Sequence, residues 1–310
     1  MRIPVFLINF ASQLINGIIR MKKILFILAS IIISLTASAY DKVFFHCDKD
    51  TIIINDLLKS PELSEMDNSQ RLAFFAKQLT GADSNLRSEI LEADSVLFTI
   101  DVHSFNPLSL ISTCISLTQA YETSSAPNWR DFASKYESVM FKGGKAGDFV
   151  SRFLYPSDWI ADNIFRGNIT DETLQMEGLN IKKKEKSIDY ISHHKDSFKA
   201  FANSQNLDRI KMLEMGFRNH QIIYVSNGDL TNPARFKRIA KDGDIVFLLC
   251  TDFNLDSRDM GIVYHDGDVL KYIHISPSDN KVITEELPFD LFVKRNIKRI
   301  QGARVMRISQ

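Results

Sequence analysis

Apolar residues in the first half of the chain recur at helical spacing. "DTIIINDLLKS", residues 50–60, is stopped by Pro61, and "DNSQRLAFFAKQLTG", residues 67–81, opens on a polar cap and closes on glycine, so both predict helices. "DSVLFTIDVHSF" then alternates as an extended segment. Asn106 and Pro107, a cap followed by a residue suited to the first helical position, open a helix expected from Leu108 to about Tyr121. "NWRDFASKYESVMF" predicts another helix and runs into the glycine-containing loop "KGGKAGDF".

The second half changes period. "SRFLYPSDWIADN" is aromatic and irregular, and "IKKKEKSIDYIS" predicts an exposed strand whose lysines form a solvated face. A helical stretch is expected around Phe198 to Met215, then the strand "QIIYVS" and a short helix within "PARFKRIAKDGD". The end is β: "DIVFLLCTDF", then "MGIVYHDGDVLKYIHIS", in which His265-Asp266-Gly267-Asp268 marks a hairpin turn, then "ARVMRIS". Helices followed by an antiparallel sheet give the α+β class.

The N-terminus follows a different logic. From Met21 the chain has a basic start at Lys22 and Lys23, an apolar run from Ile24 to Leu35, and the small residues Ala37-Ser38-Ala39. This is the pattern of a secretory signal peptide cleaved before Tyr40, and it makes Met21 the expected initiator. Residues 1–39 are therefore assigned to targeting and 40–310 to a single domain, exported to the periplasm with no stable membrane span after cleavage. The formal charge is zero over 310 residues, but residues 1–39 hold four basic side chains and no acid, leaving the remainder slightly acidic. That excludes the basic surface expected of a nucleic-acid-binding domain.

Three cysteines, Cys47, Cys114 and Cys250, make an odd number and predict no disulfide framework. Cys114 and Cys250 lie in apolar patterns typical of inert core thiols. His193-His194 and His265 read as loop or turn residues without the companion spacing of a zinc site. No metal or cofactor is expected.

The closing block, "DGDIVFLL", "MGIVYHDG" and "YIHIS", resembles the NlpC-type, papain-like cell-wall hydrolases. "FNPLSLISTCISL" and "SRFLYPSDWIADN" resemble the nucleophile helix and the Ser-Arg-aromatic-Trp segment of the branch of N-acetylmuramoyl-L-alanine amidases long catalogued as a domain of unknown function. The resemblance implies a papain-like fold, with N-terminal helices packed on an antiparallel sheet or half-barrel. The implied chemistry is hydrolysis of the amide between N-acetylmuramic acid and L-alanine. It requires a thiolate at a helix N-terminus, a histidine that activates it and then protonates the leaving amine, and a polar group that orients the imidazole.

The chain departs from that pattern at each chemical position. Pro107 stands where the resemblance places the nucleophile, Asp259 where it places the catalytic histidine, and His274 at the orienting position. Cys114 lies seven residues along the helix, about 10 Å from its mouth at about 1.5 Å per residue, and cannot substitute. Carboxylates are ordinarily ionised at neutral pH and make poor general acids, and their charge disfavours a neighbouring thiolate. Leu154 replaces a further histidine of the family segment, and Ser104 and Ser109 beside Pro107 lack an activating base. Catalytic residues are therefore assigned as none retained, and the chain is expected to be a pseudoenzyme. It would bind peptidoglycan or muropeptide fragments through a cleft whose candidate contacts are Arg152, Tyr155, Trp159, Asn163 and Asp256. An active cysteine-type amidase with a nucleophile at another register or a substituted one, and a scaffold for protein contacts, are the alternatives. A thiol beside an imidazole in an open groove would favour the first of these.

Overall fold

A computed structural model describes residues 43–85, 98–147, 149–198, 201 and 204–310. The targeting segment, with its expected cleavage before Tyr40, lies outside them. Strand β1 (Val43–Phe45) leads into helix α1 (Asp50–Leu58), and α2 (Asn68–Gln78) follows a one-turn 3-10 helix at Pro61–Glu65. Asp67 caps α2 by accepting the Gln70 N–H at 2.8 Å, while the Gln70 side chain accepts the Asp67 N–H at 2.9 Å. This reciprocal box satisfies two of the donors that every helix N-terminus leaves unpaired. Short strands β2 (Asp83–Ser84), β3 (Phe98–Ile100) and β4 (Ser104–Phe105) then bring the chain to α3 (Pro107–Thr123) and α4 (Trp129–Met140).

Helix α3 is buried almost throughout, from Leu108 to Thr118. Its interior polar side chains turn back on their own helix: Ser116 and Thr118 donate to the carbonyls of Ser112 and Cys114. That local pairing lets a polar sequence occupy the centre of the molecule, where α3 packs on α1, α2 and α4.

The remaining elements are α5 (Pro156–Phe165), β5 (Ile169–Asp171), β6 (Ile181–Lys186), α6 (Tyr190–His193), α7 (Ser204–Gly216), β7 (His220–Ser226), α8 (Asn227–Leu230), α9 (Phe236–Ile239), β8 (Ile245–Cys250), β9 (Ser257–Asp266), β10 (Val269–Ser276), β11 (Lys281–Thr284), α10 (Phe289–Arg295) and β12 (Ile300–Ile308). Ten strands form one sheet in the order β4-β2-β11-β10-β9-β8-β12-β7-β6, with β5 on β12. The class is α+β as expected. The sheet, however, is mixed rather than wholly antiparallel, because β2 and β4 run parallel at its edge. The helix expected around 198–215 is described from Ser204 to Gly216.

The β9–β10 hairpin turns at Gly267 and Asp268, with Val269 opposite Asp266. Gly267 takes a φ of +56°, which a tight turn of this kind requires and a glycine supplies without steric cost. One face of the sheet builds a core from Val246, Leu248, Val263, Tyr272, Phe289 and Val305, among others. The lysine-rich strand β6 departs from expectation at one end. Lys182 and Lys183 are exposed, but Lys186 is buried, and its ammonium donates to the Cys250 carbonyl at 2.9 Å and to the Leu255 carbonyl. Burial lowers the Lys186 pKa, and these carbonyls are what its charge finds in place of water. Among the described residues no helix is long and apolar enough to cross a membrane.

Candidate functional site

Helix α3 begins with a capping box. Asn106 Oδ1 accepts the Ser109 N–H at 2.9 Å, and Ser109 Oγ accepts the Asn106 N–H at 2.9 Å. Pro107 occupies the first helical position, half-buried, with no side-chain atom able to attack a carbonyl. The two flanking serines are committed elsewhere: Ser109 to the cap, and Ser104 to Asp101, whose carboxylate accepts its hydroxyl at 2.5 Å.

Asp259 and His274 are brought together by the register of the hairpin. Gly261, two residues after Asp259, lies opposite His274. The close approach needs glycine: a Cβ built at Gly261 would lie 2.1 Å from the Ile273 carbonyl oxygen and 3.0 Å from His274 Cβ. His274 Nδ1 stands 2.9 Å from Asp259 Oδ2, and Glu285 Oε2 stands 3.6 Å from Nε2. The imidazole is buried against the rings of Tyr272 and Phe292, at centroid distances of 4.7 Å and 5.2 Å. Burial pulls its pKa down, but the hydrogen bond and charge of Asp259, joined by Glu285, outweigh that, and the net shift is upward. The imidazole is thus engaged on both ring nitrogens by carboxylates within a buried cluster. Glu285 has no signal in the sequence, since it reaches His274 only through the β10–β11 pairing.

The other expected cleft residues lie mostly in the interior. Trp159 is fully buried, with its indole N–H donating to Ser112 Oγ of α3 at 3.3 Å and its ring 5.8 Å from that of Phe247. Tyr155 is buried, donates its hydroxyl to Glu214 at 2.6 Å and accepts the Ile191 N–H at 2.7 Å. Asn163 is fully buried, bonded to the Val139 and Trp159 carbonyls and to Asn168. These three belong to the core rather than to a cleft wall. Their polar ends pair with other protein groups, so nothing is left to face a ligand. Asp256, also buried, accepts the Ser157 N–H at 2.6 Å and so caps α5 from across the chain. Arg152 lies beside Phe141, its guanidinium carbon 5.6 Å from the ring centroid, and its backbone forms a bridge to the same residue. Leu154 is half-buried and packs on the cluster of Tyr155, Ile188, Ile191 and Ile210. A cavity of about 840 Å³ lies elsewhere, lined by Asn68, Arg71, Lys241, His265 and Arg307 among others, toward the turn end of β9.

All three thiols are free, and their surroundings differ. Cys114 is fully buried, and burial drives its pKa far above the ordinary thiol value. Cys250 is buried too; burial raises its pKa, the nearby Lys186 opposes this, and its thiol donates to the Leu255 carbonyl at 3.1 Å. Cys47 is half-buried, with Sγ 3.7 Å from His103 Nε2 and 3.9 Å from Nδ1. His103 Nδ1 in turn lies 2.9 Å from Asp50 Oδ1. This grouping is not legible along the chain, because His103 is remote from Cys47 and Asp50 and reaches them only through the pairing of β1 with β3. His193 and His194, by contrast, bond to the carbonyls of Asp189 and Tyr190 in their own helical turn.

A family model described as AmiA-like, N-acetylmuramoyl-L-alanine amidase-like, matches residues 87–299. Among solved structures, an N-acetylmuramoyl-L-alanine amidase from Bacteroides uniformis is similar at 24% identity and a TM-score of 0.69, covering 78% of this chain and 99% of that one. Protein LPG0564 from Legionella pneumophila, of family model DUF1460, is similar at 16% identity and a TM-score of 0.65, covering 85% of this chain and 95% of that one. At these identities the likeness to solved structures is one of fold. No curated protein matches.

Proposed function

The chain belongs to the AmiA-like, N-acetylmuramoyl-L-alanine amidase-like family, and from that premise we propose that it is an exported, papain-like member that binds peptidoglycan fragments without hydrolysing them. The observation that carries this reading is the state of the family's chemical positions. A proline stands at the mouth of α3, and the one imidazole of the β9–β10 hairpin is held by Asp259 and Glu285. Acyl transfer to water through an enzyme nucleophile needs an attacking atom and a base that can take its proton. Pro107 offers the first of these nowhere, and His274 is occupied as the second. Pro107 and Asp259 are both partly exposed, which supports a surface that still meets ligand. Export rests on the basic, apolar and small-residue succession of residues 22–39.

The alternative of a substitute nucleophile is favoured by one observation, the succession Cys47, His103, Asp50. The sulfur, however, is nearly equidistant from the two ring nitrogens and so lies off the Nε2 lone-pair axis along which a thiol would hand over its proton. Among the described residues, neither the cavity beside Arg71 nor the one beside Tyr121 borders it.

The test is incubation of the purified protein with defined muropeptides, read by calorimetry for binding and mass spectrometry for product. Heat of binding with no L-alanine-headed peptide is the expected result. Released peptide would overturn the claim of inactivity, and its disappearance in Cys47→Ala would assign the activity to that thiol. Absence of both heat and product would remove the binding claim.

A further inference from the structure

The turn between β1 and α1 carries Cys47, Asp50 opens α1, and His103 lies in the turn between β3 and β4. One donor atom from each, a sulfur, a carboxylate oxygen and an imidazole nitrogen, lies within 4.8 Å of the others. We propose that Cys47, Asp50 and His103 form a zinc site, three protein ligands with further coordination open to water. Cys47 and Asp50 precede the stretch matched to the family, and His103 lies within it.

The donor set fits the ion. Thiolate, imidazole and carboxylate are the three ligand types that zinc takes, and three of them with one open position is a known coordination for a site that keeps water. Distances agree as well. Bond lengths of about 2.3 Å to sulfur and about 2.0 Å to nitrogen place those two ligands about 3.5 Å apart around a tetrahedral ion. The sulfur here is 3.7 Å and 3.9 Å from the ring nitrogens. The 2.9 Å contact between His103 Nδ1 and Asp50 Oδ1 has only to open by about half an ångström for both atoms to bind one ion.

The frame of the site is already set. Asp50 is fully buried, its Oδ2 accepts the Cys47 N–H at 2.8 Å, and the Val102 N–H approaches Oδ1 at 3.4 Å. These bonds fix the carboxylate and the cysteine backbone in one piece. The His46 N–H donates to the Ile100 carbonyl at 2.9 Å and ties that piece to the strand before His103. His103 itself is 41% exposed, which leaves a path for the ion and room for water. Coordination requires the ion on a ring-nitrogen lone pair, so the Cys47 sulfur has to turn toward that nitrogen, and neither Cys47 nor His103 is packed in the core. Loading releases the thiol proton to solvent, so affinity should rise with pH.

The test uses the full purified chain stripped of metal and titrated with zinc against a coloured chelator, with cobalt in parallel. One equivalent bound, a thiolate-to-cobalt charge-transfer band and tighter binding at higher pH are expected. Cys47→Ser should abolish the band, and both it and His103→Ala should weaken zinc binding at least about tenfold. Cys47 and His103 are not core residues, and far-ultraviolet circular dichroism confirms that each variant is folded. A chain that binds no zinc, a cobalt complex without the thiolate band, or unchanged affinity in both folded variants would overturn the proposal. The result does not depend on muropeptide binding, so either claim can fail alone.

Discussion

His274 and Asp259 form a hydrogen-bonded ion pair, Nδ1 to Oδ2 at 2.9 Å, across the two strands of one hairpin. Glu285 approaches the opposite ring nitrogen from the chain after β11, so the imidazole lies between two carboxylates under the Tyr272 and Phe292 rings. Asp259 on β9 thus gives the buried imidazole of β10 a structural partner.

This pair has a definite pH signature. Burial opposes protonation of His274, and the two carboxylates overcome it, leaving the folded-state pKa above the ordinary 6.5. The folded chain then binds the proton more tightly than the unfolded one, so the stabilisation is fully present below about 6.5 and is lost as pH rises through the folded value. His274→Gln should cost about 2 kcal/mol near pH 6 and progressively less on the alkaline side. Urea unfolding of both proteins across that range checks it; a difference that grows with pH would refute the assignment.

Placing a thiol at the mouth of α3 should not confer hydrolysis. In a Cys47→Ser background, Pro107→Cys places a partly exposed thiol at a helix N-terminus, where the dipole favours the thiolate. It should therefore be alkylated by iodoacetamide well before Cys114 or Cys250, which are buried. No muropeptide cleavage should follow, because His274 remains held by Asp259 and Glu285. Peptide mass mapping and product analysis read the two outcomes separately.

Trp159 distinguishes a core role from a sugar-binding one. Its ring fills the space between α3 and Phe247 and has no exposed surface. Trp159→Ala should lower unfolding free energy by about 3–5 kcal/mol. Tyr155→Phe should cost about 1–3 kcal/mol, since it strands the Ile191 N–H and takes a donor from Glu214. Equilibrium denaturation measures both. A variant of either residue that keeps wild-type stability and loses only ligand affinity would return it to the cleft.

These residues show which parts of the molecule were legible beforehand. The cap and proline of α3 could be read because capping is local: Asn106, Pro107 and Ser109 lie within one turn. The β9–β10 hairpin could be read for the same reason, its turn chemistry being adjacent in sequence. Whether an aromatic residue faces a cleft or the core depends instead on what lies across from it, and Trp159 meets α3 and β8 residues remote in the chain. Glu285 beside His274, and Cys47 beside His103, were illegible because only strand pairing brings them together. Lys186 misled for a related reason. Its neighbours at 182 and 183 do face water, and only the carbonyls of Cys250 and Leu255 make burial of a fourth lysine tolerable.

Gly261 offers the sharpest structural test, because the Asp259–His274 pair depends on how closely β9 approaches β10. A methyl group there would meet the Ile273 carbonyl oxygen at 2.1 Å, a Tyr272 ring carbon at 2.8 Å and His274 Cβ at 3.0 Å. Real Cβ atoms do not tolerate a backbone oxygen at that distance, so the strands must part locally, and overpacking of this kind costs about 1–3 kcal/mol. The displacement falls on the residue paired with His274 and should weaken its bond to Asp259. Gly261→Ala is therefore expected both to destabilise the protein and to bring the His274 pKa, followed by the NMR shifts of its ring protons, back toward 6.5. Gly267→Asn is the control: it puts a side chain at the φ of +56° in the hairpin turn, a conformation asparagine accepts, with nothing within 4 Å of the added Cβ. It should leave both quantities near wild type, and an unperturbed His274 in Gly261→Ala would show that the pair does not rely on this contact.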